Sequence, residues 1–512
     1  MVAGRKGTAA TDSGRALSPS ERWFWIIDRM SPANCTARVR VDGRIPVGRL
    51  ESAAAILVAE YPLLRMGISD NVGSDPWLRP LPAPRIPVRR IQSRDSGDWV
   101  RVVDAEIAEP IDIANGLARI TDIVAGADSD GESHDIVLTI SHIIADGRSL
   151  LALLRKLIDY AADLPGPVAT RPPVPAADDL IPRGARGFRR WAHTTLADQI
   201  GALVRRPRRL TGTVAALSER RTRVVHRVLG REALAALIID CRRAGVTVHA
   251  ALAAAVADVI GAGESGLIDG EAPREIPTAA AEAPGGAELS GGRCATSGPG
   301  ARTAVRRVSR FGPREGLAIG ARGAGAARGR GAVGVGSPVD FRESLGPRVD
   351  AEELGVYAPV LVGFVPFGRG VSLWEAARAV KRQLDRGVRQ GRHLATVAGM
   401  RFGTPRTLES GRRLAELVDR RAPWNVSVTN LGRVEFPERA GAWRLSGLRV
   451  AASNSCVSVM TVAVTTAHAE MHLGFCHAEP ALPAARAETF ADAVLAVLAR
   501  RPDPSAALQA GA

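Results

Sequence analysis

The sequence predicts a mixed α/β protein organised in two lobes. Its 512 residues exceed what one ordinary hydrophobic core accommodates, so two domains or one large two-lobed body are expected. Strand-like and helix-like hydrophobic patterns alternate along both halves of the chain, which is typical of α/β folds. A proline-rich segment at 164–186 predicts a linker between a first lobe at 17–163 and a second lobe at 187–512.

The first lobe is predicted to begin with a helix that follows a disordered tail at 1–16. Ser18 suits the N-cap of this helix, with Pro19 in the first helical position and Glu21 as the partner of a capping box. Three aromatic residues follow and are expected to anchor the core, with a channel wall as the alternative: Trp23, Phe24 and Trp25. Periodicity then predicts strands at 36–41, 117–124 and 135–141 and helices at 47–60 and 99–108.

The second lobe has the same mixture of patterns, interrupted by a segment of unusual composition. Residues 262–335 are rich in Gly, Ala and Arg and poor in large apolar residues, which predicts disorder; translation in a wrong reading frame is a second interpretation. Helices are predicted at 188–204, 231–244, 248–260, 372–390 and 485–499. Strands are predicted at 222–229, 356–366, 425–429, 443–452, 458–465 and 470–475.

The composition narrows the class of protein. The formal net charge is +15, and the basic residues are scattered apart from short local clusters such as Arg205, Arg206, Arg208 and Arg209. Base-stacking aromatics are not interleaved with these clusters, which argues against nucleic-acid binding. The five cysteines are dispersed and form no zinc-type pair, and the first 20 residues lack an apolar signal-type core. No apolar run is long enough to span a membrane. We therefore expect a cytoplasmic protein, with peripheral membrane association as an open alternative, and a monomer.

A histidine after the strongest predicted strand is the first candidate for catalysis. His142 follows the apolar run 135–141, and Asp146 and Gly147 precede a helical pattern of leucines. An imidazole has a pKa near 6.5, which suits a general base, and Asp146 can cap the helix. A structural histidine beside an ordinary helix cap explains this segment alone equally well.

Three motifs in order resemble those of a known acyltransferase superfamily. They are Ser141-His142-x-x-x-Asp146-Gly147, Val339-Asp340-Phe341-Arg342, and the segment from Asn425 to Arg433. The pattern resembles the His-His-x-x-x-Asp-Gly superfamily, which includes condensation domains of peptide synthetases, wax ester synthases and polyketide-associated acyltransferases. It looks most like the last group, of the phthiocerol/phthiodiolone dimycocerosyl transferase type.

The resemblance implies two lobes of chloramphenicol-acetyltransferase-like topology with a tunnel between them. By this resemblance His142 is the catalytic base, and Asp146 holds the turn that carries it. Arg342 is the expected ion-pair partner of Asp146, with an unpaired surface arginine as the alternative. Gly147 would permit close approach at the tunnel, and Asn430 would support its second half unless it is a plain turn residue. The sequence departs from the pattern at Ser141, which replaces the first histidine of the motif. Ser141 is expected to support the tunnel.

The predicted reaction is transfer of a fatty or polyketide-type acyl group to a lipid alcohol, which forms an ester. By the resemblance, the donor is a thioester on CoA or on the phosphopantetheine of an acyl carrier protein of a polyketide synthase, and no separate cofactor is needed. An amide-forming condensation domain and a wax ester synthase are alternatives. The serine at 141 and the segment at 262–335 also leave open a catalytically silent homologue that binds carrier proteins. A metal site formed by His468, His472 and His477 is disfavoured, because no Cys or carboxylate partners lie nearby in sequence.

Overall fold

The computed structural model describes residues 14–69, 75–95, 97–126, 131–163, 169–268, 329–346, 348–454 and 458–499, with side chains to 263 in the helix that ends at 268. Most of the predicted tail at 1–16 lies outside these ranges. The first half contains β1 (Arg15–Ala16), α1 (Pro19–Asp28), β2 (Asn34–Asp42), α2 (Arg49–Glu60), β3 (Met66–Ser69), β4 (Trp77–Pro80), β5 (Val88–Gln92), α3 (Asp98–Ala108), β6 (Ala118–Ala125), β7 (Ser133–Ser141) and α4 (Gly147–Ala161).

The second half begins with a short helix and includes the longest helices of the chain. Its elements are α5 (Ala177–Leu180), α6 (Phe188–Arg205), β8 (Arg221–Leu229), α7 (Arg231–Arg243), α8 (Val248–Ile268), β9 (Gly331–Pro338), β10 (Val360–Phe367), α9 (Leu373–Arg389), α10 (Arg392–Gly403), α11 (Leu408–Arg421), β11 (Val426–Arg433), β12 (Arg439–Ala440), β13 (Trp443–Ala452), β14 (Met460–Ala467), β15 (Glu470–Glu479) and α12 (Ala484–Ala499).

The first six-stranded sheet places β7 among neighbours that cover it on both edges. The strand order is β12-β13-β2-β7-β6-β5, with antiparallel pairing except between β5 and β6. All nine residues of β7 are buried, as its apolar run predicts. The helices α2 and α4 pack against each other beside this sheet, so the C-terminal end of β7 is held within a continuous core.

The second six-stranded sheet has the order β10-β9-β11-β14-β15-β8 and mixes parallel and antiparallel pairs. Its core is formed with α8, α9 and α12, whose alanines and valines allow close packing on the strands. A three-stranded sheet, β1-β4-β3, flanks the first lobe. The strands β1 and β3 to β5 are absent from the sequence prediction, because they have only two to five residues and are too short to show a clear hydrophobic period.

The predicted boundary between the lobes does not separate the two sheets. The strand β13 belongs to the second half of the chain, yet it pairs with β2 in the first sheet from Arg444–Asp42 to Ala452–Cys35. The described part of the predicted linker is also packed: Ile181 and Ala185 are buried beside Phe341. Hydrophobic patterning cannot reveal such a crossing, because a strand looks the same whichever sheet receives it.

The prediction of disorder at 262–335 is wrong at both ends of the segment. After a break at Gly263, where φ is 70°, helical backbone resumes to residue 268. Residues 331–335 are the first part of β9, which pairs along its whole length with β10. Val333 and Val335 are buried in the second core. The glycines of this strand serve close packing and are not a sign of disorder. An added Cβ at Gly334, for example, would lie 1.8 Å from the carbonyl oxygen of Pro423. The remaining part of the prediction, 269–328, lies outside the described residues.

No single helix within the described ranges has the length and apolarity needed to cross a membrane. Within the same ranges, α7 together with residues 248–263 passes that test as a pair of helices bent by 98°.

Candidate active site

His142 lies in a turn at the C-terminal end of β7. Its backbone N–H donates to the carbonyl of Ala33 at 2.7 Å, which ties the turn to the residue before β2. Its ring stacks on Phe24 of α1, with the ring centroids 4.2 Å apart and the planes at 24°. Nδ1 is buried and has no hydrogen-bond partner within the described residues. The stacking fixes the plane of the ring, and we infer that Nε2 is the nitrogen available to a bound molecule.

Asp146 is held by residues from both halves of the chain. Its carboxylate accepts hydrogen bonds from Arg342 Nη1 at 2.9 Å and Nη2 at 3.1 Å. It also accepts from the backbone N–H of Ser149 at 2.9 Å, as the N-cap of α4, and from that of Tyr357 at 3.0 Å. The side chains of Asp146 and Arg342 are almost completely buried. The predicted helix cap and the predicted Asp146–Arg342 ion pair are therefore both confirmed as contacts.

Arg342 is supported on several sides. Its Nη2 donates to Ser149 Oγ at 2.9 Å and to the Glu353 carbonyl at 3.2 Å, and its guanidinium lies 4.2 Å from the ring centroid of Tyr357. Burial alone would raise the pKa of Asp146, but the charge and hydrogen bonds of Arg342 and the backbone donors hold that pKa below its usual value. Asp146 is therefore a carboxylate fixed by Arg342 and available only as a distant charge to His142.

Burial lowers the pKa of the His142 imidazole. The negative charge of Asp146 and backbone carbonyls act in the opposite direction without compensating for it. The ring is consequently neutral at neutral pH, and a neutral imidazole can accept a proton.

The other predicted site residues surround this turn in different ways. Gly147 sits against Leu431, whose Cδ2 would lie 3.0 Å from an added Cβ, so close approach is required there. Asn430 lines the cavity described next and accepts from the Gly432 N–H at 2.9 Å, which makes it a turn residue as well. Ser141 is fully buried beneath the turn, where its Oγ accepts from the Ile143 N–H at 3.4 Å. It supports the turn and does not form the cavity wall.

A cavity of about 480 Å³ opens beside His142 between the two halves of the molecule. On one side it is walled by apolar residues of α1, α10 and α11: Trp23, Phe24, Ile27, Val397, Met400 and Val418. On another side β11, β14 and the segment after β13 contribute polar residues: Ser427, Thr429, Asn430, Asn454, Ser458 and Thr461. The cavity can therefore accommodate an apolar chain and hydrogen-bonding groups next to one imidazole.

Local sequence patterns predict only some of the residues that line the cavity. Trp23 and Phe24 line the cavity, which favours the alternative of a channel wall, whereas Trp25 is buried in the core as expected. Part of the polar wall lies in the motif from Asn425 to Arg433, in which Asn430 is the predicted residue. The rest, which includes Asn454 and Thr461, lies outside any motif that the sequence analysis identifies. Tyr357 was also missed, because its contact with Asp146 is made by the backbone N–H, which every residue except proline possesses.

The three C-terminal histidines do not converge. His477 Nδ1 donates to the Leu482 carbonyl at 2.8 Å, while His468 Nε2 lies 3.1 Å from the Phe436 carbonyl, and His472 is buried in β15. Within the parts of the chain that the structure describes, no group of three or more His, Cys, Asp or Glu side chains is placed to hold a metal ion.

Solved structures with the same two-lobed architecture are numerous, although their sequences have diverged widely. The chain superposes on polyketide synthase associated protein 5 of Mycobacterium tuberculosis with a TM-score of 0.59 and 15% identity, covering 95% of this chain and 97% of that one. The first condensation domain of the calcium-dependent antibiotic synthetase, in complex with a substrate analogue, gives a TM-score of 0.63 at 15% identity and covers 96% of each chain.

The chain has the condensation-domain fold. Its two lobes have the chloramphenicol-acetyltransferase-like topology that the motifs imply. The starter condensation domain of rhizomide synthetase, solved with C8-CoA, superposes with a TM-score of 0.58 at 13% identity and covers 95% of this chain and 94% of that one. No protein-family model matches the sequence, and no curated protein matches it. At these identities the likeness shows the fold alone.

Proposed function

We propose that the protein is an O-acyltransferase that moves a fatty or polyketide-type acyl group from a thioester to a lipid alcohol. The observation that carries this proposal is the position of His142, a neutral and stacked imidazole beside a cavity with one apolar and one polar wall. The condensation-domain fold supports acyl transfer as the class of reaction. Asp146 serves as a positioning residue, since Arg342 occupies its carboxylate.

The proposed step forms one bond and breaks one. The acceptor oxygen attacks the thioester carbonyl while His142 Nε2 takes the hydroxyl proton. The tetrahedral intermediate collapses with cleavage of the carbon–sulfur bond, and the proton passes from His142 to the thiolate. Ester and free thiol are the products, and no oxidant or reductant is needed. The two substrates react quickly because the cavity holds both of them against one base.

The donor in this proposal is acyl-CoA or an acyl carrier protein, and the reaction requires no further cofactor because the thioester already activates the acyl group. The apolar wall formed by Ile27, Val397 and Met400 suits a saturated chain. The acceptor is a lipid alcohol, and we place the reaction in the cytoplasm, at a membrane surface or in solution. The protein is proposed to act as a monomer.

Amide formation is the second candidate, because the superposed structures include condensation domains of peptide synthetases. The polar wall of Ser427, Thr429 and Thr461 is compatible with an amine as well as an alcohol. A wax ester synthase would differ only in using simple long-chain alcohols. A silent homologue would bind carrier proteins without releasing thiol.

The decisive assay follows free thiol with acyl-CoA or acyl carrier protein donors and with alcohol or amine acceptors. We expect acceptor-dependent thiol release that favours alcohols and falls at least about 100-fold in His142→Ala, since general-base catalysis contributes about 10²–10⁴-fold. The control is His193→Ala, which changes an exposed histidine of α6. Equal rates in His142→Ala and the unmodified protein would refute the base. A preference for amines would establish amide formation, and no release with any pair would establish the silent homologue.

A further inference from the structure

The helix α6 exposes an apolar stripe on its outer face. Leu196, Ile200, Leu203 and Val204 recur at the spacing of one helical face, and each is between 51% and 75% exposed. Isolated exposed apolar residues are ordinary, but a contiguous stripe on one face indicates a surface that binds something. We call these four residues the α6 stripe.

Contacts on the opposite face of α6 fix the orientation of this helix and therefore keep the α6 stripe exposed. Gly201 packs against Phe364, whose Cε2 would lie 2.8 Å from an added Cβ. Asp198 forms an ion pair with Arg392 at the start of α10. These inward contacts, made by residues between those of the stripe, leave Leu196, Ile200 and Leu203 directed outwards.

An exposed aromatic cluster continues the apolar surface beyond the N-terminal end of the stripe. Phe188 lies 5.5 Å from Trp191 and 5.5 Å from Phe402 between ring centroids. Phe188 and Phe402 are 58% and 46% exposed. Aromatic rings at such positions are characteristic of helices that lie at the boundary between water and lipid.

The charge around the stripe has one sign. Between residues 183 and 209 the sequence contains eight arginines and a single acidic residue, Asp198, which faces inwards to Arg392. Exposed arginines flank both ends of α6: Arg183, Arg189, Arg190, Arg205 and Arg206. Long arginine stems can lie along apolar surface while their charged ends reach anionic head groups.

The helix α10 lies between α6 and the cavity. The helix α10 packs against α6, and an added Cβ at Gly399 would overlap the ring of Trp191. On its other face α10 presents Val397 and Met400 to the cavity. A lipid surface in contact with α6 would therefore be close to the wall that we assign to the acyl chain.

We propose that α6, with its stripe, its aromatic cluster and its flanking arginines, docks on the surface of a membrane that contains anionic lipids. An apolar centre with cations at its ends matches an interfacial helix. A second copy of this chain is disfavoured as the occupant, because each copy carries a formal net charge of +15. The link between this surface and the cavity rests on the proposed function, whereas the docking itself does not.

The test measures binding of the full chain to vesicles in the absence of any acyl donor. We expect sedimentation with vesicles of phosphatidylcholine and phosphatidylserine, weaker binding to phosphatidylcholine alone, and weakening with added salt. The variant Leu196→Ser/Ile200→Ser/Leu203→Ser should bind more than about tenfold more weakly, because it removes the apolar area that inserts. The matched control changes three exposed apolar residues elsewhere: Val47→Ser, Val214→Ser and Ile239→Ser.

A second variant, Arg189→Gln/Arg206→Gln, tests the electrostatic part and keeps the stripe. Each removed charge should weaken binding to the anionic vesicles about fivefold, since a basic residue near such a surface contributes about 1 kcal/mol. An unchanged thermal unfolding midpoint shows that each variant is folded. No binding of the unmodified protein, or equal loss in the triple variant and its control, would overturn the proposal.

Two other outcomes would also overturn it. If the unmodified protein were a dimer that the triple variant dissociates, the occupant would be a second copy. If the triple variant lost binding to an acyl carrier protein and kept binding to vesicles, the occupant would be that protein. Because the vesicle measurement needs no donor, its failure leaves the acyltransfer proposal intact, and failed thiol release leaves the docking proposal intact.

Discussion

Asp146 connects the two halves of the chain at the level of a single side chain. It accepts four hydrogen bonds: two come from Arg342 and the others from the backbone of Ser149 and Tyr357. A carboxylate in this position neutralises the buried guanidinium. Among the described residues, loss of its charge leaves Asp340, which is more distant and partly exposed, as the remaining ion-pair partner of Arg342. The pair thus holds the His142 turn against the segment that carries Tyr357.

We predict that Asp146→Asn lowers the free energy of unfolding by about 3 kcal/mol, because breaking one partner of a buried ion pair leaves an uncompensated charge. The measurement is urea unfolding at neutral pH. The control is Asp385→Asn, which breaks the exposed pair with Lys381 and should cost less than about 1 kcal/mol. Equal effects in the two variants would show that the buried pair does not hold the lobes together.

The pH dependence of the reaction should report on His142. Burial lowers the pKa of its imidazole, so the neutral base persists below the usual value of 6.5. We predict that kcat/KM for thiol release is constant near neutrality and falls on acidification with a midpoint below pH 6.5. The charge of Asp146 raises this pKa, so Asp146→Asn should move the midpoint to lower pH. A midpoint above 6.5 in the unmodified protein would contradict the burial of the ring.

Ser141 stands where the motif has its first histidine, and a substitution of Ser141 tests whether this position contributes to the reaction. Its buried Oγ makes a long hydrogen bond of 3.4 Å to the Ile143 N–H, and His142 lies next to it in the turn. We predict that Ser141→Ala keeps thiol release within about threefold of the unmodified protein and costs about 1 kcal/mol, the usual contribution of one hydrogen bond. The assay is the one used for His142→Ala. A loss as large as that of His142→Ala would assign Ser141 a direct role in the reaction.

At the scale of elements, the strand β9 is the sharpest departure from the sequence prediction. Gly334 lies so close to Pro423 that any side chain must displace backbone. Gly363 of β10 pairs with Val335 of β9, and an added Cβ at Gly363 would lie at an ordinary distance of 3.9 Å from the Val335 carbonyl oxygen. We predict that Gly334→Ala destabilises the protein by about 1–3 kcal/mol through overpacking. Gly363→Ala should be neutral or slightly stabilising. Urea unfolding of both variants checks this, and equal stabilities would contradict the placement of β9.

Local sequence patterns predict the elements whose hydrophobic period and capping residues match their burial in the structure. The buried strand β7, the amphipathic α4 and the capping box of α1, formed by Ser18 and Glu21, were all predicted and are all present. The helices α10 and α11 are absent from the sequence prediction, and residues 331–335 of β9 fall within the segment predicted to be disordered. Tertiary contacts decide these elements: glycines of β9 and α10 are required by Pro423 and Trp191, which lie far away in sequence.

The same distinction holds for the site. The positions of His142 and Asp146 follow from a strand end and a helix cap, which are local features. Arg342 was expected as a partner only by the resemblance of its motif, since its contact spans 196 residues. The cavity wall formed by Thr429 and Thr461 depends on the parallel pairing of β11 with β14, which no periodicity encodes.

At the scale of the whole molecule, a cluster of two arginines, one tryptophan and two histidines lies where the two sheets meet. Trp99 of α3 lies between Arg38 of β2 and Arg449 of β13, with guanidinium-to-centroid distances of 4.6 and 4.8 Å. His226 of β8 contacts the same Trp99 ring at 4.8 Å, and His472 of β15 is buried nearby. Arg38 and Arg449 belong to the first sheet, Trp99 belongs to the helix α3 that packs on that sheet, and the two histidines belong to the second sheet. The cluster therefore joins the two sheets.

Burial, reinforced by Arg449 and Arg38, lowers the pKa of His226 and that of His472 to about 3. Both rings are therefore neutral in the folded protein at pH values where the unfolded chain, with a pKa near 6.5, binds protons. The contribution of these two histidines to folding stability is fully present above pH 6.5 and is lost as the pH falls from there towards 3. Burial raises the pKa of Asp104 to about 6 and also raises the pKa of carboxyl groups such as Asp178, and these shifts act in the opposite direction. The pKa of His249, lowered by burial to about 4, acts in the same direction as those of His226 and His472.

We predict that the free energy of unfolding falls on acidification with a slope of up to about 1.4 kcal/mol per pH unit for each of the two histidines. Urea unfolding at a series of pH values from 7.5 downwards measures it. The double variant His226→Asn/His472→Gln cannot bind these protons, so its stability should decline less steeply whatever its value at neutral pH. Because His226 contacts Trp99 and the positive charges of Arg38 and Arg449 oppose protonation of both histidines, their protonation should loosen the two sheets from each other. Parallel pH profiles for the two proteins would show that other groups govern acid unfolding and that this contact does not control the union of the lobes.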